Sequence, residues 1–271
     1  ASESASYSNT SAIGQSFGFD ENSSATYVNQ GGFLNGGGSS GIPPGPDIDR
    51  GLIAYYPFNG NAEDESGNGA PRGEVWGVGR VEDRFGTPES AFRFGMDTVI
   101  FDNFDTSDDS SWSWVFWFKD NLKDSDGWII STYDNHNGNG PVTETNSDIV
   151  IRDDSRNSGE LVFSHFGNKG QGGTFSVSSN DNLGGEKFWE DGKWHQIAIT
   201  VDQAGGTQIY FDKEILADMD THTDPYPGLV IGSRGNRGDY YSGVVDDLRI
   251  YDRSLSHEEV IALFDLEESE T

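Results

Sequence analysis

The sequence contains no cysteine, and its 271 residues include only 17 lysines and arginines against 46 aspartates and glutamates. The absence of cysteine excludes disulfides, thiolate metal sites and a cysteine nucleophile. The net charge of −29 argues against nucleic acid or an anionic membrane as a partner, because both attract lysine and arginine. No stretch approaches the roughly 20 apolar residues of a membrane span. So acidic a composition is typical of a protein soluble in a salty medium, or of one that uses calcium.

Aromatic residues make up 13% of the chain and predict a folded core. The 36 glycines predict many turns, and the short runs between them are rich in β-branched and aromatic residues. This pattern predicts an all-β fold in an antiparallel sandwich. The predicted strands are 52–58, 74–78, 91–94, 99–102, 111–118, 128–132, 149–152, 161–165, 174–178, 194–201, 207–212, 228–231 and 244–251.

The strand at 111–118 is the best candidate for the centre of a sheet. Large side chains occupy both of its faces, which predicts that it is covered on both sides. The alternation places Trp112, Trp114, Phe116 and Phe118 on one face and Val115 and Trp117 on the other.

The segment 240–264 joins a strand to a short helix and is expected to close the fold. Ser256 and Glu259 have the spacing of a capping box, which marks the start of the helix. Val260 and Leu263 then fall on one helical face, together with Phe264.

Asp246 and Asp247 lie side by side in the last strand. Because successive strand residues point to opposite faces, one acid is expected to face inward or toward an edge and the other to face solvent. The inward carboxylate needs a partner, either a metal ion or an arginine such as Arg249 or Arg253.

The chain is predicted to have four parts. Residues 1–34 are a strand-forming arm too short and polar to fold alone, 35–49 a Gly/Pro-rich linker, 50–266 the sandwich and 267–271 an acidic tail. The side chains of the arm expected to dock on another sheet are Tyr7, Ile13, Phe17, Tyr27 and Phe33.

Several segments of the main domain, in order, resemble the laminin-G-like, concanavalin-A-like jelly-roll family and span nearly all of 51–266. The resemblance implies an antiparallel jelly roll. Within the arm, TSAIGQS and GGFLN resemble a short β-repeat found near the termini of large exported bacterial proteins. The matching segments of the main domain are GLIAYYPFNGNAEDESGNG (51–69), RFGTPESAFRFG (84–95), SWSWVFWFK (111–119), DGKWHQIAITVD (191–202), GTQIYFDKEI (206–215), LVIGSRG (229–235) and SGVVDDLRIYDRSLSHEEVIALF (242–264).

The resemblance implies a structural calcium that ties the first loop to the last strand. Its ligands would be Asp64 and Asp246, with Asn59 or Asn61 supplying further oxygens. The alternative is a hydrogen-bonded Asx turn at Asp64 and an Asp246 that pairs with arginine.

The polar loop 134–148 is the candidate ligand-binding loop, since loops at the ends of sandwiches commonly bind ligands. Asp134, His136, Asn137 and Asn139 could hold a sugar or a second calcium. The alternative is a loop that is simply solvated.

No motif predicts catalysis, and the chain is expected not to be an enzyme. The acids in the EKFWED segment, 186–191, lack the strand spacing of a glycosidase pair. His195 is expected to be a core histidine bonded to backbone.

We therefore expect an exported bacterial protein, extracellular or at the cell surface, with a signal peptide already removed before ASESAS. The favoured hypothesis is a structural subunit that self-assembles into a filament, appendage or layer, because the arm would add strands to a neighbour's sheet. The alternative is a lectin-like adhesion module that binds a glycan, with calcium as a candidate cofactor.

Overall fold

The structure is a computed structural model, and its described residues are 45–101, 111–120, 126–133, 149–154, 160–165, 173–178, 189, 191–204, 206–219, 228–233 and 240–268. The chain divides into two units between Pro43 and Pro44, and all described residues belong to the second. The predicted arm residues and the predicted loop ligands lie outside the described residues, namely Tyr7, Ile13, Phe17, Tyr27, Phe33, Asp134, His136, Asn137 and Asn139.

The described residues form fifteen strands and one helix. All strand pairs named here are antiparallel. The elements are β1 (Leu52–Tyr56), β2 (Glu74–Trp76), β3 (Gly79–Val81), β4 (Ala91–Phe94), β5 (Thr98–Phe101), β6 (Trp112–Lys119), β7 (Asp126–Tyr133), β8 (Ile149–Asp154), β9 (Glu160–His165), β10 (Gly173–Ser178), β11 (His195–Asp202), β12 (Gly206–Phe211), β13 (Glu214–Met219), β14 (Gly228–Ile231), β15 (Gly243–Tyr251) and α1 (His257–Glu268).

The strands form two sheets, which confirms the all-β prediction. The eight-stranded sheet has the order β13-β12-β11-β6-β15-β4-β3, and β1 also pairs with β15. The seven-stranded sheet has the order β10-β9-β8-β7-β14-β5-β2. None of the helical structure in the described residues has the length and apolarity that a bilayer crossing requires.

Two short strands, β3 and β13, were not predicted. Strand β3 has only three residues, and all of them are partly or fully exposed, so it shows no hydrophobic pattern. Strand β13 follows β12 through Asp212 and Lys213, whose φ angles are 45° and 66°. Two consecutive positive φ angles define a tight hairpin turn, which usually contains Asn-Gly or Asp-Gly. Here the turn residues are Asp-Lys, so the sequence did not indicate a hairpin.

Strand β6 is buried on both faces, as predicted. Trp112, Trp114, Phe116 and Phe118 belong to the main core. On the opposite face, Trp117 stacks on Phe264 of α1, with ring centroids 5.3 Å apart, and Val115 packs in a second cluster with residues of the helix. The helix therefore covers the outer face of the eight-stranded sheet.

The predicted capping box starts α1. The Glu259 carboxylate accepts the Ser256 backbone N–H at 2.8 Å, and the Ser256 hydroxyl accepts the Glu259 N–H at 3.3 Å. Glu259 also accepts two bonds from Arg253, at 2.6 and 2.8 Å. Burial raises the pKa of Glu259, but Arg253, the Ser256 N–H and Arg50 together lower it by more, so the net shift of the pKa is downward.

The end of the predicted linker is bound to the sandwich. Arg253 donates to the carbonyl of Arg50 at 2.7 Å and to that of Asp47 at 3.3 Å, and Ile48 packs against the second cluster. Residues 47–49 are thus part of the folded domain.

We expect Glu259→Gln to lower the free energy of unfolding by about 3 kcal/mol, because it leaves the Arg253 guanidinium without its buried counter-charge. Glu258→Gln is the matched control, since Glu258 is exposed on the same helical turn. Urea denaturation of the two variants measures the difference, and equal stability would contradict the role given to Glu259.

Candidate functional site

The site begins at a β-bulge in β15. Opposite β6, Asp246 pairs with Trp117 and Arg249 with Val115, so β15 has one extra residue at this point. Asp247 takes a φ of 49°, in the left-handed region. The extra residue places both acids on the outer face between the core residues Val245 and Leu248. Strict alternation would have sent one acid inward and the other toward solvent. Both are buried instead, so the prediction that one of them faces solvent is wrong.

Both carboxylates bind Arg84, which lies between β3 and β4. Its Nη1 is 3.3 Å from Asp246 Oδ2 and also donates to Asp247. The Arg84 side chain is 7% exposed, and its guanidinium packs over the rings of Phe85 and Trp117. The arginine partner of Asp246 is therefore neither of the two proposed from the sequence, Arg249 and Arg253.

The Asp246 pKa is raised well above its usual value. Burial is the largest cause, and the charges of Asp247 and Asp83 add to it, while Arg84 lowers it only in part. Tyr55 donates from its hydroxyl to Asp247 at 2.5 Å. Two aspartates therefore share the single charge of Arg84.

Above these groups lies an open cleft of about 300 Å³, here called the Arg84 cleft. It forms where β15 exchanges β4 for β1 as its neighbour. Its walls come from β1, β15, the loops after β1 and between β3 and β4, and the helix α1. Besides Arg84, Asp246 and Asp247, its lining includes Tyr55, Asn59, Asp83, Phe85, Thr87 and Arg249.

The rim of the cleft carries polar groups on loops with defined geometry. Asp83 Oδ1 accepts the backbone N–H groups of Phe85 and Thr87, both at 2.8 Å. These bonds shape the 83–87 turn and leave Asp83 Oδ2 without a hydrogen-bond partner among the described residues. Asn59 and the Thr87 side chain are exposed beside it. Sequence reasoning missed Asp83, Arg84 and Thr87; the RFGTPE segment of the family resemblance contains Arg84 and Thr87 but not Asp83.

Of the predicted calcium ligands, the structure places Asn59 and Asp246 in the cleft lining, whereas Asp64 and Asn61 are not part of it. Asn61 Oδ1 accepts the Glu63 N–H at 2.7 Å, within its own loop. Asp64 accepts five hydrogen bonds, from Tyr55 N, Ser66 N, Ser66 Oγ, Gly69 N and Ala70 N.

This geometry matches the alternative to calcium. Both oxygens of Asp64 are already occupied, and its pKa is lowered because the backbone donors outweigh burial. Asp246 is paired with Arg84. Within the described residues, no group of three or more acids and histidines is arranged to hold a metal ion. The four side chains do not fit a single calcium site, and calcium stays a prediction.

A second ionisable cluster surrounds His195 at the start of β11. Its Nδ1 is 2.7 Å from Asp212 Oδ2 and its Nε2 is 3.1 Å from Asp191 Oδ1, so its partners are carboxylates and not the backbone groups expected. Burial lowers the pKa of His195, but the two carboxylates raise it by more, so the net shift is upward. This cluster links the end of the β12–β13 hairpin to the turn before β11.

A laminin-G-like family model, described as the concanavalin A-like lectin/glucanases superfamily, matches residues 95–261. Since the match covers more than half of the chain, the chain belongs to this superfamily. No curated protein sequence matches the chain.

Several solved structures share the fold. The binding domain of Paraclostridial Mosquitocidal Protein 1 is 18% identical, with a TM-score of 0.63 over 82% of this chain and 54% of that one. The binding domain of botulinum neurotoxin DC, solved with SialylT, is 18% identical, with a TM-score of 0.57 over 81% and 52%. This chain thus spans about half the length of those toxin domains.

Domain 4 of AbnA, an extracellular arabinanase from Geobacillus stearothermophilus, was solved with arabinotriose. It is 17% identical, with a TM-score of 0.57 over 78% of this chain and 97% of that domain. At these identities the likeness concerns the fold.

We expect Arg84→Met to lower the free energy of unfolding by about 3–5 kcal/mol, because it leaves two buried carboxylates without their cation. Arg80→Met is the control, since Arg80 is exposed on β3. Chemical denaturation measures the free energy of unfolding of both variants. Adding Asp247→Asn to Arg84→Met should recover part of the loss, and a fully stable Arg84→Met protein would show that the pairing is unimportant.

The raised pKa of His195 predicts a pH-dependent stability. The imidazolium stabilises the fold fully below about pH 6.5, the usual histidine pKa, and this contribution is lost as pH rises through the higher pKa of the folded state. Asp212→Asn should flatten that decline, whereas Asp218→Asn, on the exposed side of β13, should not. Urea denaturation from pH 5.5 to 9 measures the free energy of unfolding at each pH. Parallel stability curves for wild type and Asp212→Asn would contradict the role given to the His195–Asp212 pair.

Proposed function

We propose that this chain is a non-catalytic carbohydrate-binding module that holds an oligosaccharide in the Arg84 cleft. The observation that carries the proposal is the make-up of the cleft. An amide, a hydroxyl and a carboxylate oxygen stand on its rim beside aromatic side chains. A sugar offers hydroxyl groups that both donate and accept, so mixed polar groups around a small cavity suit it.

The family and its structural relatives support this proposal. The relatives are binding domains, one solved with arabinotriose and another with SialylT. They favour the lectin-like alternative over the filament subunit. The filament hypothesis depends on residues 1–34, and neither self-assembly nor a homo-oligomer gains support from the comparisons.

The absence of catalysis is part of the proposal. A glycosidase needs two carboxyl groups roughly 5–10 Å apart on opposite sides of the scissile bond. In the Arg84 cleft, Asp246 and Asp247 instead share one guanidinium, and Tyr55 holds the second oxygen of Asp247. This shared pairing differs from the two separated carboxyl groups that a glycosidase uses. A secreted or surface location and a bacterial origin belong to the same proposal.

We expect Asn59→Ala to weaken glycan binding about tenfold, the effect of losing roughly 1.4 kcal/mol of hydrogen bonding. Binding is measured by isothermal titration calorimetry with the strongest ligand from an oligosaccharide array. Asn61→Ala is a demanding control, because the Asn61 side chain shapes the same loop but does not line the cleft. Equal weakening by both variants, or an array without any bound glycan, would overturn the proposal.

A further inference from the structure

The charges of the cleft bear on which glycans it can accept. The lining contains three aspartates and two arginines. One arginine, Arg84, is nearly buried and is shared between two carboxylates and two aromatic rings. Its Nη1 faces both carboxylates, so its single positive charge is already outnumbered by two negative ones.

The second arginine, Arg249, is also engaged. Its guanidinium carbon lies 3.8 Å from the centroid of the Tyr55 ring. Stacking of this kind uses the face of the guanidinium and fixes the side chain against the wall of the cleft. A ligand carboxylate could meet only the N–H edge of Arg249, and there it would lie in the same cleft as the Asp83 and Asp247 carboxylates.

The local field already disfavours another negative charge. Three aspartates line the cleft against two arginines, and burial together with the charges of Asp247 and Asp83 raises the pKa of Asp246 in spite of Arg84. A carboxylate or sulfate entering the cleft would meet the charges of the same aspartates. Like charges brought together at a binding surface cost several kcal/mol and serve to reject wrong partners.

The rim acceptor is itself anionic. Asp83 Oδ2 can accept a hydrogen bond from a sugar hydroxyl, and a bond to an ionised acceptor is stronger than a neutral one. It cannot accept one from an ionised carboxylate or sulfate. The net charge of −29 adds a weaker repulsion that salt screens within about 8 Å at physiological ionic strength.

We infer that the Arg84 cleft selects neutral oligosaccharides and rejects those that carry uronate, sialate or sulfate groups. This inference rests on the proposed function and specifies its class of ligand.

The test uses an array in which each neutral oligosaccharide is printed beside its acidic counterpart, such as asialo and sialylated glycans or plain and uronate-bearing xylans. The neutral member of a bound pair should bind about tenfold more tightly at 50 mM salt, and the gap should narrow at 0.5 M salt. Acidic members that bind as well as or better than neutral ones would overturn the inference but leave carbohydrate binding intact. No binding to either class would overturn the proposed function itself.

The variant Asp83→Asn tests whether the preference for neutral glycans arises in the cleft. Asparagine keeps the Oδ1 acceptor that shapes the 83–87 turn and removes only the charge. The preference for neutral glycans should fall severalfold in titrations with the best pair. Asp218→Asn, the same charge change on β13, should leave the preference unchanged. Equal preferences in Asp83→Asn and wild type would show that Asp83 does not enforce the selection.

Discussion

The Arg84 ion pairs hold together the point where the eight-stranded sheet is most irregular. Strand β15 carries a bulge there, and its neighbour changes from β4 to β1. Two adjacent carboxylates would repel each other in this buried position, and Arg84 satisfies both from a single guanidinium. Its guanidinium also packs over the rings of Phe85 and Trp117. The floor of the cleft consists of charged side chains that are paired with one another. It therefore presents no apolar surface whose burial would favour closing the cleft.

The rest of the sandwich provides a rigid support for this cleft. Strand β6 is filled on both faces, and α1 seals the outer face through Trp117 and Phe264. The capping box and the Arg253–Glu259 pair fix where the helix begins. Consequently the polar rim groups, Asn59 on one loop and Thr87 on another, stand on loops anchored to a packed sheet. The proposed site would therefore bind its ligand with little reorganisation.

Local patterns predicted most of the framework. Alternation in 111–118 indicated the two-faced central strand, and the spacing of Ser256 and Glu259 indicated the helix start, since both depend on neighbours in sequence. The site was harder to predict. Arg84 and Asp246 are 162 positions apart, and nothing near either residue indicates the other. The bulge overturned the expected alternation at Asp247, because a single inserted residue reverses the face of those that follow.

By itself, the sequence determined the class of fold, the central strand, and the helix with its cap, and its net charge led to the expectation that nucleic acid is not a partner. These properties follow from composition, net charge and short-range periodicity, which act along the chain. Only the tertiary structure decided that Asp64 is held by backbone N–H groups, that His195 lies between two carboxylates and that Arg84 forms the floor of a cleft. Those arrangements require residues from distant strands and loops to meet in a buried environment, where pairing of charges outweighs any local preference.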